Sequence, residues 1–360
     1  MWTPIALATL LAFSGPGETQ LALKGNDPVA LCAGEELAGK EALRFDFGRY
    51  TYRFADAERL ETFRADPERY AIQGHGACAR MGPLSGNGDP NRWIVYGGRI
   101  YIFSSRECQN GFLKTPERYL EGSPELAPVS EASRQKGAAL FARVLEAHGG
   151  PDRVDAAEAL VLVFEREQKG WVNRVEQVVQ PDGELSRRLT WKPIDGSEPG
   201  FDTTWVLNDE PHMLEHGDRW PVTNRLALDE LRRLALREPL TLFWARDGAD
   251  FLAAYGGAGT FREQTVENLL VRHAGLETTW HLDPESAEIV GLSWRGRAGS
   301  GVMREVEEVV TEMIVVEGLR LPKDRTVFAD GKQKQSLSRP WSRVEVRTEI
   351  PAEGPAKKGD

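Results

Sequence analysis

The chain has 360 residues, enough for two cores of ordinary size. It is 41% hydrophobic and 28% charged, with a mean hydropathy of -0.43, as expected of a water-soluble protein. The net charge of -10 is spread through interspersed acidic and basic residues, so no basic face is available for nucleic acid or an anionic membrane surface.

In chain order, an apolar run from Pro4 to Phe13 comes first. At about ten residues it is too short to cross a bilayer and fits the core of an export leader. Ala12-Phe13-Ser14 offers small residues for cleavage, although no Lys or Arg precedes the run. No Cys follows it directly, so no lipid anchor is expected there, and no other stretch is long and apolar enough to span a membrane. The expectation is an exported protein, periplasmic or in the cell envelope, with residues 1–20 as signal peptide. Cys32, Cys78 and Cys108 all lie in the first third. In an oxidising compartment one disulfide and one remaining thiol would follow.

The next stretch, 21–128, reads as one domain. Asp27-Pro28 and Gly25 punctuate its opening, and residues 45–54 alternate aromatics as paired strands do. Residues 56–64 read as a helix with Leu60 and Phe63 on one face, stopped at Asp66-Pro67. Gly97-Gly98 then joins two strand-like runs, 93–96 and 99–103. Ser104 and Ser105 are N-cap residues for a helix over 106–113. The second half of this stretch copies the first at an offset of 49. Tyr52/Tyr101, Phe54/Phe103, Glu58/Glu107, Phe63/Phe112 and both Pro-Glu-Arg-Tyr sequences agree, which marks a duplicated unit. The copies differ where Cys108 stands opposite Arg59. In the first turn of a helix the unpaired N–H groups favour a thiolate, so Cys108 is a metal-ligand or reactive-thiol candidate as well as a half-cystine candidate.

The pattern Asp27-Pro28-Val29, Tyr52-x-Phe54, Phe63-x-x-Asp66-Pro67-Glu68-x-Tyr70, Gly76-x-Cys78-Ala79, Gly88-Asp89-Pro90-x-x-Trp93 and Tyr101-x-Phe103-x-Ser105-x-x-Cys108 resembles the YHS domain, most closely its exported bacterial branch. The resemblance implies a small α+β module whose relatives often use cysteines as metal ligands. Cys78 matches the opening Cys of that pattern loosely and Cys108 matches the second of a Cys-x3-Cys pair, with Ser104 in place of the first. Val29-Ala30 departs from the family's Val-Cys, with Cys32 nearby. His75, Cys78 and Cys108 would form the three-ligand set for a thiophilic ion such as copper or zinc. A Cys78–Cys108 disulfide is the alternative.

Residues 129–350 read as a second domain, with 351–360 a disordered tail. Ser130 caps a helix running to His148, with Leu140, Phe141, Val144 and Leu145 as its apolar stripe and Gly149-Gly150 as its end. The period then changes to two. Candidate strands are 160–167, 171–179, 183–191, 201–207, 213–220, 260–272, 276–283, 289–297, 303–316, 325–329 and 343–350. A helical insertion over 224–245 breaks at Pro239. Sequential antiparallel strands with few helices predict a large curved sheet whose concave face the helices cover in part. The fold class expected is therefore α+β, a small duplicated module followed by an antiparallel β half-barrel with helices on its concave face. Such a concavity suits an apolar small molecule or lipid.

Ala142-Arg143-Val144-Leu145-Glu146-Ala147-His148-Gly149-Gly150, Leu282-Asp283-Pro284-Glu285-Ser286-Ala287-Glu288-Ile289 and Val316-Glu317-Gly318-Leu319-Arg320-Leu321-Pro322 are similar to proteins with the outer-membrane lipoprotein-carrier fold. That resemblance implies an open half-barrel holding acyl chains under a helical lid, with an envelope protein as partner. It transfers no ligand-binding position, and Ala287 replaces a glycine usual in the turn.

His212-Met213-Leu214-Glu215-His216 spells an inverted zinc-protease motif. That chemistry needs a helix, whereas Pro211 and Gly217 bracket a hairpin in which residues four apart stand about 13 Å from each other. No catalytic constellation emerges, and the reading is of a non-enzymatic binding protein.

Overall fold

The structure is a computed structural model in which residues 19–84, 88–197, 200–215, 217–222, 224–297, 301–334 and 340–348 are described. Residues 1–18 of the expected leader and the tail 351–360 lie outside them. Among the described residues no helix is long and apolar enough to cross a membrane.

The amino-terminal part begins with β1 (Gln20–Leu21), α1 (Pro28–Cys32), β2 (Lys40–Phe47), β3 (Tyr50–Phe54), α2 (Ala57–Ala65) and α3 (Pro67–Tyr70). Its three strands pair in the order β1-β3-β2. Asp27 ties this unit together. One carboxylate oxygen accepts from the Val29 and Ala30 amides that open α1, and the other accepts from the Ala55 amide at 2.7 Å. The Asp-Pro pair is thus a helix start and a cross-link to the end of β3.

The second unit has β4 (Asp89–Tyr96), β5 (Arg99–Phe103), α4 (Arg106–Leu113) and α5 (Glu117–Leu120). Gly97 and Gly98 take φ of 58° and 69°, the left-handed pair that a two-residue hairpin needs. The duplication has a packing cause. Phe63 stands at the centre of the rings of Phe45, Phe47, Tyr52 and Phe54, and its counterpart Phe112 stands among Tyr96, Tyr101, Phe103 and Tyr119. Each fully buried ring contributes roughly 1.5–3 kcal/mol, so each copy keeps the aromatic set around its own centre.

The longer remainder opens with α6 (Glu131–Ala147) and α7 (Pro151–Ala156). The strands β6 (Ala159–Gln168), β7 (Trp171–Val179), β8 (Leu185–Pro193), β9 (Phe201–Leu207), β10 (His212–Glu215) and β11 (Asp218–Pro221) follow as an antiparallel meander. Next come α8 (Arg225–Leu236) and α9 (Pro239–Trp244). A second meander consists of β12 (Leu252–Phe261), β13 (Gln264–His273), β14 (Leu276–Leu282), β15 (Ile289–Gly296), β16 (Arg304–Val316), β17 (Leu319–Ala329) and β18 (Lys332–Gln333). The chain returns through β19 (Arg343–Arg347), which pairs with β6 in the first sheet. On the way the Trp341 amide donates to the Lys323 carbonyl of β17 at 3.1 Å, which binds the two sheets where they meet.

The architecture is α+β with large curved antiparallel sheets, as the alternation predicted. Leu160, Leu162 and Phe164 of one sheet share a core with Leu269, Trp280, Leu292 and Leu321 of the other. Leu140, Phe141 and Val144 of α6 and Leu240, Leu242 and Phe243 of α9 fill the concavity between them. Three strand boundaries differ from expectation. The run 213–220 is the β10–β11 hairpin rather than one strand. The run 260–272 contains a turn at Arg262 and Glu263, both at positive φ, so β12 precedes β13. The last half of β17 extends back to Leu319 through Pro322, which faces Met313 at a β-bulge.

Candidate functional site

Two places gather chemistry: a pair of thiols in the amino-terminal part, and the helix-covered interior of the half-barrel. The thiols are positioned by backbone that the sequence dictates locally. Cys78 opens a turn, its carbonyl accepting from the Met81 and Gly82 amides, and the Ala79 amide donates to Ile102 of β5 at 3.0 Å. This carries the fully buried Cys78 side chain to the start of α4. Ser105 caps α4 as predicted, its Oγ accepting from the Cys108 amide at 3.2 Å. The Ser104 Oγ lies 3.5 Å from Cys108 Sγ and 3.7 Å from Met81 Sδ. Cys78 and Arg80 also hydrogen-bond to the Cys108 sulfur, and Arg80 holds Tyr119 as well.

Burial would raise the Cys108 thiol, yet the hydrogen bonds from Ser104, Ser105, Cys78 and Arg80 outweigh it and hold the group below its ordinary value. Cys32 behaves oppositely: burial pushes it up to about 11, against partial relief from Arg69 and Arg99. All three cysteines are free in the structure, and Cys78 and Cys108 lie together at the start of α4. Of the three-residue metal set, Cys78 and Cys108 are brought together. The His75 backbone lies in the 3-10 turn Gln73–Gly76 and its side chain lies outside the described residues. Among the described residues no group of three or more His, Cys, Asp or Glu side chains gathers around a metal position. Sequence reasoning missed Arg80 and Met81, whose only signal was their place two and three residues after Cys78.

Beside the thiols runs a cleft of about 260 Å³ between the amino-terminal part and the half-barrel. Cys78, Tyr101 and Tyr119 form one wall, and Leu226 and Arg297 belong to the other. The walls are fixed by contacts across the seam. The Gly301 amide donates to Arg80 O at 2.9 Å, Arg295 pairs with Glu121 at 2.5 Å, and Arg49 pairs with Glu215. Leu84 packs against two buried clusters that join α8 to the β9–β11 edge, one containing Leu207 and Leu231 and the other Met213, Trp220 and Ala227.

Inside the half-barrel, Phe141 stacks on Trp280 at 5.8 Å and 24°, and Phe243 meets Trp280 edge-on at 5.5 Å. His148 lies against the Phe243 ring, and its Nδ1 bonds to Val144 O at 2.8 Å. Burial holds the His148 imidazole below its usual value, against the backbone bond from Val144, so it stays neutral. His148 Nε2 and Trp280 Nε1 are buried with no protein partner. At the junction of α8 and α9, four charges enter the same interior. Arg325 of β17 reaches Glu238 at 2.5 Å and Glu308 at 3.0 Å, and Arg237 pairs with Glu308 while covering the Trp294 ring at 4.9 Å. Glu308 is wholly buried. Its inward position was readable from alternation, since Val306 and Glu308 share one face of β16.

His212 of the protease-like motif sits on β10, its Nδ1 2.8 Å from Glu210 O, so the strand geometry that argued against zinc chemistry is the one observed. His216 lies outside the described residues.

No family model and no curated protein matches the chain. Among solved structures, it is similar to one described as an outer membrane lipoprotein-sorting protein domain from Vibrio parahaemolyticus, at 8% identity and a TM-score of 0.36. It is also similar to a DUF1329 family protein from Desulfovibrio piger, at 10% identity and the same TM-score. In each case 61% of this chain and 95% of the other are covered. At that score the likeness carries no argument about fold or function, which rest on the geometry above.

Proposed function

We propose that this is an exported binding protein that holds an apolar ligand, of the lipid class, in the half-barrel beneath the α8–α9 cover. The observation that carries the reading is how that cover is fastened. Its inner face is apolar, through Leu236, Leu240, Leu242 and Phe243, but its junction is fixed by the buried Arg237–Glu238–Glu308–Arg325 group. Buried ion pairs contribute little net stability over apolar packing, because both partners lose hydration. The same charges regain hydration when the seam parts, so the fastening releases into water at less cost than a purely apolar one. Opening then offers an apolar interior with two polar contacts, His148 Nε2 and Trp280 Nε1, for a headgroup or carboxyl end.

The apolar run at Pro4–Phe13 supports export. We read the amino-terminal part as a YHS-like module docked on the half-barrel; the two aromatic centres at Phe63 and Phe112 support that reading.

Titration of the full chain with a fluorescent fatty acid tests the proposal. Saturable binding at one equivalent, with quenching of tryptophan emission, is expected. Absence of saturable binding by either a fatty acid or a phospholipid probe would overturn it.

A further inference from the structure

The thiol pair has a built environment that ligand holding in the half-barrel does not use. Cys108 stands in the first turn of an eight-residue helix, receives a hydrogen bond from Cys78 and faces the Arg80 guanidinium. Room for Arg80 is made by Gly111, in the middle of that helix, where an added Cβ would stand 2.5 Å from Arg80 Nε. A glycine inside a helix costs about 1 kcal/mol relative to alanine, so this helix gives up stability to keep a cation beside the sulfur. Arg80 also bonds to Tyr119, and Tyr119 and Cys78 both line the 260 Å³ cleft, which therefore reaches the Cys78 side of the pair, while Cys108 behind it keeps 9% exposure. A cation and a second thiol that both hydrogen-bond to one sulfur favour sulfur–sulfur chemistry over a bound metal ion, for which Arg80 is a like charge.

We propose that Cys78 and Cys108 form a redox-active dithiol that exchanges with small disulfides entering through the cleft. The Cys108 thiolate attacks one sulfur of the incoming disulfide. A new S–S bond forms to Cys108, the substrate S–S bond breaks, and one thiolate leaves and takes up a proton. The Cys78 thiol then gives up its proton and attacks Cys108 Sγ, breaking the mixed disulfide and releasing the second thiol. The net change is one protein dithiol oxidised to a disulfide and one small disulfide reduced to two thiols. Cys78 already hydrogen-bonds to the Cys108 sulfur within one buried cluster, so the second step needs no rearrangement of the fold. Cys32, at the end of α1 and outside this group of side chains, takes no part.

The test is incubation of the reduced full chain with glutathione disulfide, acid quenching and intact-mass measurement. The unaltered chain is expected to lose two hydrogens and release two thiols for each chain. Cys78→Ser is expected to stop at a stable mixed disulfide on Cys108, located by peptide mapping, and Cys108→Ser or Cys108→Ala to form none. Gly111→Ala, which should improve the helix, is expected to slow the reaction about tenfold by displacing Arg80 while leaving the circular dichroism unchanged. Cys32→Ser is expected to change nothing. A mixed disulfide on Cys32 in place of Cys108, or an unchanged mass for the whole chain, would overturn the proposal. So would a thiophilic ion retained one per chain with both thiols protected from exchange.

Discussion

Replacing Arg325 by Met should be among the most damaging single changes in the half-barrel. The side chain is 8% exposed and pairs with two carboxylates, Glu238 at 6% exposure and Glu308 at 0%. It also donates to the Arg237 carbonyl at 3.1 Å. Removing it takes from buried Glu238 the cation it pairs with, while Glu308 retains Arg237. Taking one partner from a buried pair costs about 3–5 kcal/mol, because the remaining charge has lost its hydration and has nothing in return. The retained Arg237 puts the expectation toward the lower part of that range. Urea unfolding followed by tryptophan emission measures the loss as a lower midpoint. Replacing all four charges (Arg237→Met, Glu238→Leu, Glu308→Leu and Arg325→Met) should return stability to near that of the unaltered chain, since no charge is then stranded. The same variant should bind an apolar probe more slowly, because its seam opens less readily. A loss below about 1 kcal/mol for Arg325→Met would refute the reasoning, as it would mean that the group is hydrated and fastens nothing.

Other outcomes follow from particular residues. His281, stacked on Phe261 at 3.8 Å, is held down to about 4 by burial. The unfolded chain binds a proton there near 6.5 and the folded chain does not, so stability falls as pH drops from about 6.5 toward 4. His281→Gln should flatten that slope in urea melts at pH 7 and pH 5, and an unaltered slope would count against it. In iodoacetamide labelling at neutral pH, Cys108 should react well before Cys32, and the reverse order would contradict the environments assigned to the two thiols. Gly137→Ala should destabilise by about 1–3 kcal/mol despite better helix propensity, because the added methyl would press α6 into the Ala253–Ala254 backbone of β12. An unchanged thermal midpoint would refute that contact. Leu84→Ala should cost about 1–2 kcal/mol, less than a fully buried leucine, measured as a lower urea midpoint; an unchanged midpoint would refute the packing.

Local chemistry was legible in the sequence wherever it is fixed by nearest neighbours. Ser105 and Ser130 cap the helices they were expected to cap, Gly97-Gly98 turns its hairpin, and Pro239 separates two helices. The turn at Arg262-Glu263 was not, because neither residue is a usual carrier of positive φ, so two strands read as one. The antiparallel half-barrel followed from alternation, but the filling of its concave side did not. Phe141, Phe243 and Trp280 come from three segments far apart in the chain, and no local pattern brings them together. The charged group shows both limits. Glu308 and Arg325 stand at inward positions of alternating strands, a readable anomaly, whereas their partner Glu238 reaches them only through the tertiary fold. Similarly, Cys78 and Cys108 could be singled out as a pair, but Arg80 and the space left by Gly111 become visible only when the turn after Cys78 is laid across α4.

The proposed ligand position, inside the half-barrel under the α8–α9 cover, can be mapped residue by residue. Photocrosslinking with a diazirine-bearing fatty acid, followed by peptide mass spectrometry, tests it most directly. Adducts are expected on residues facing the interior, chiefly Leu240, Phe243 and Trp280, and should be lost on competition with unlabelled fatty acid. Adducts confined to the cleft residues Tyr101, Tyr119 and Leu226, or scattered over the outer surface, would contradict it.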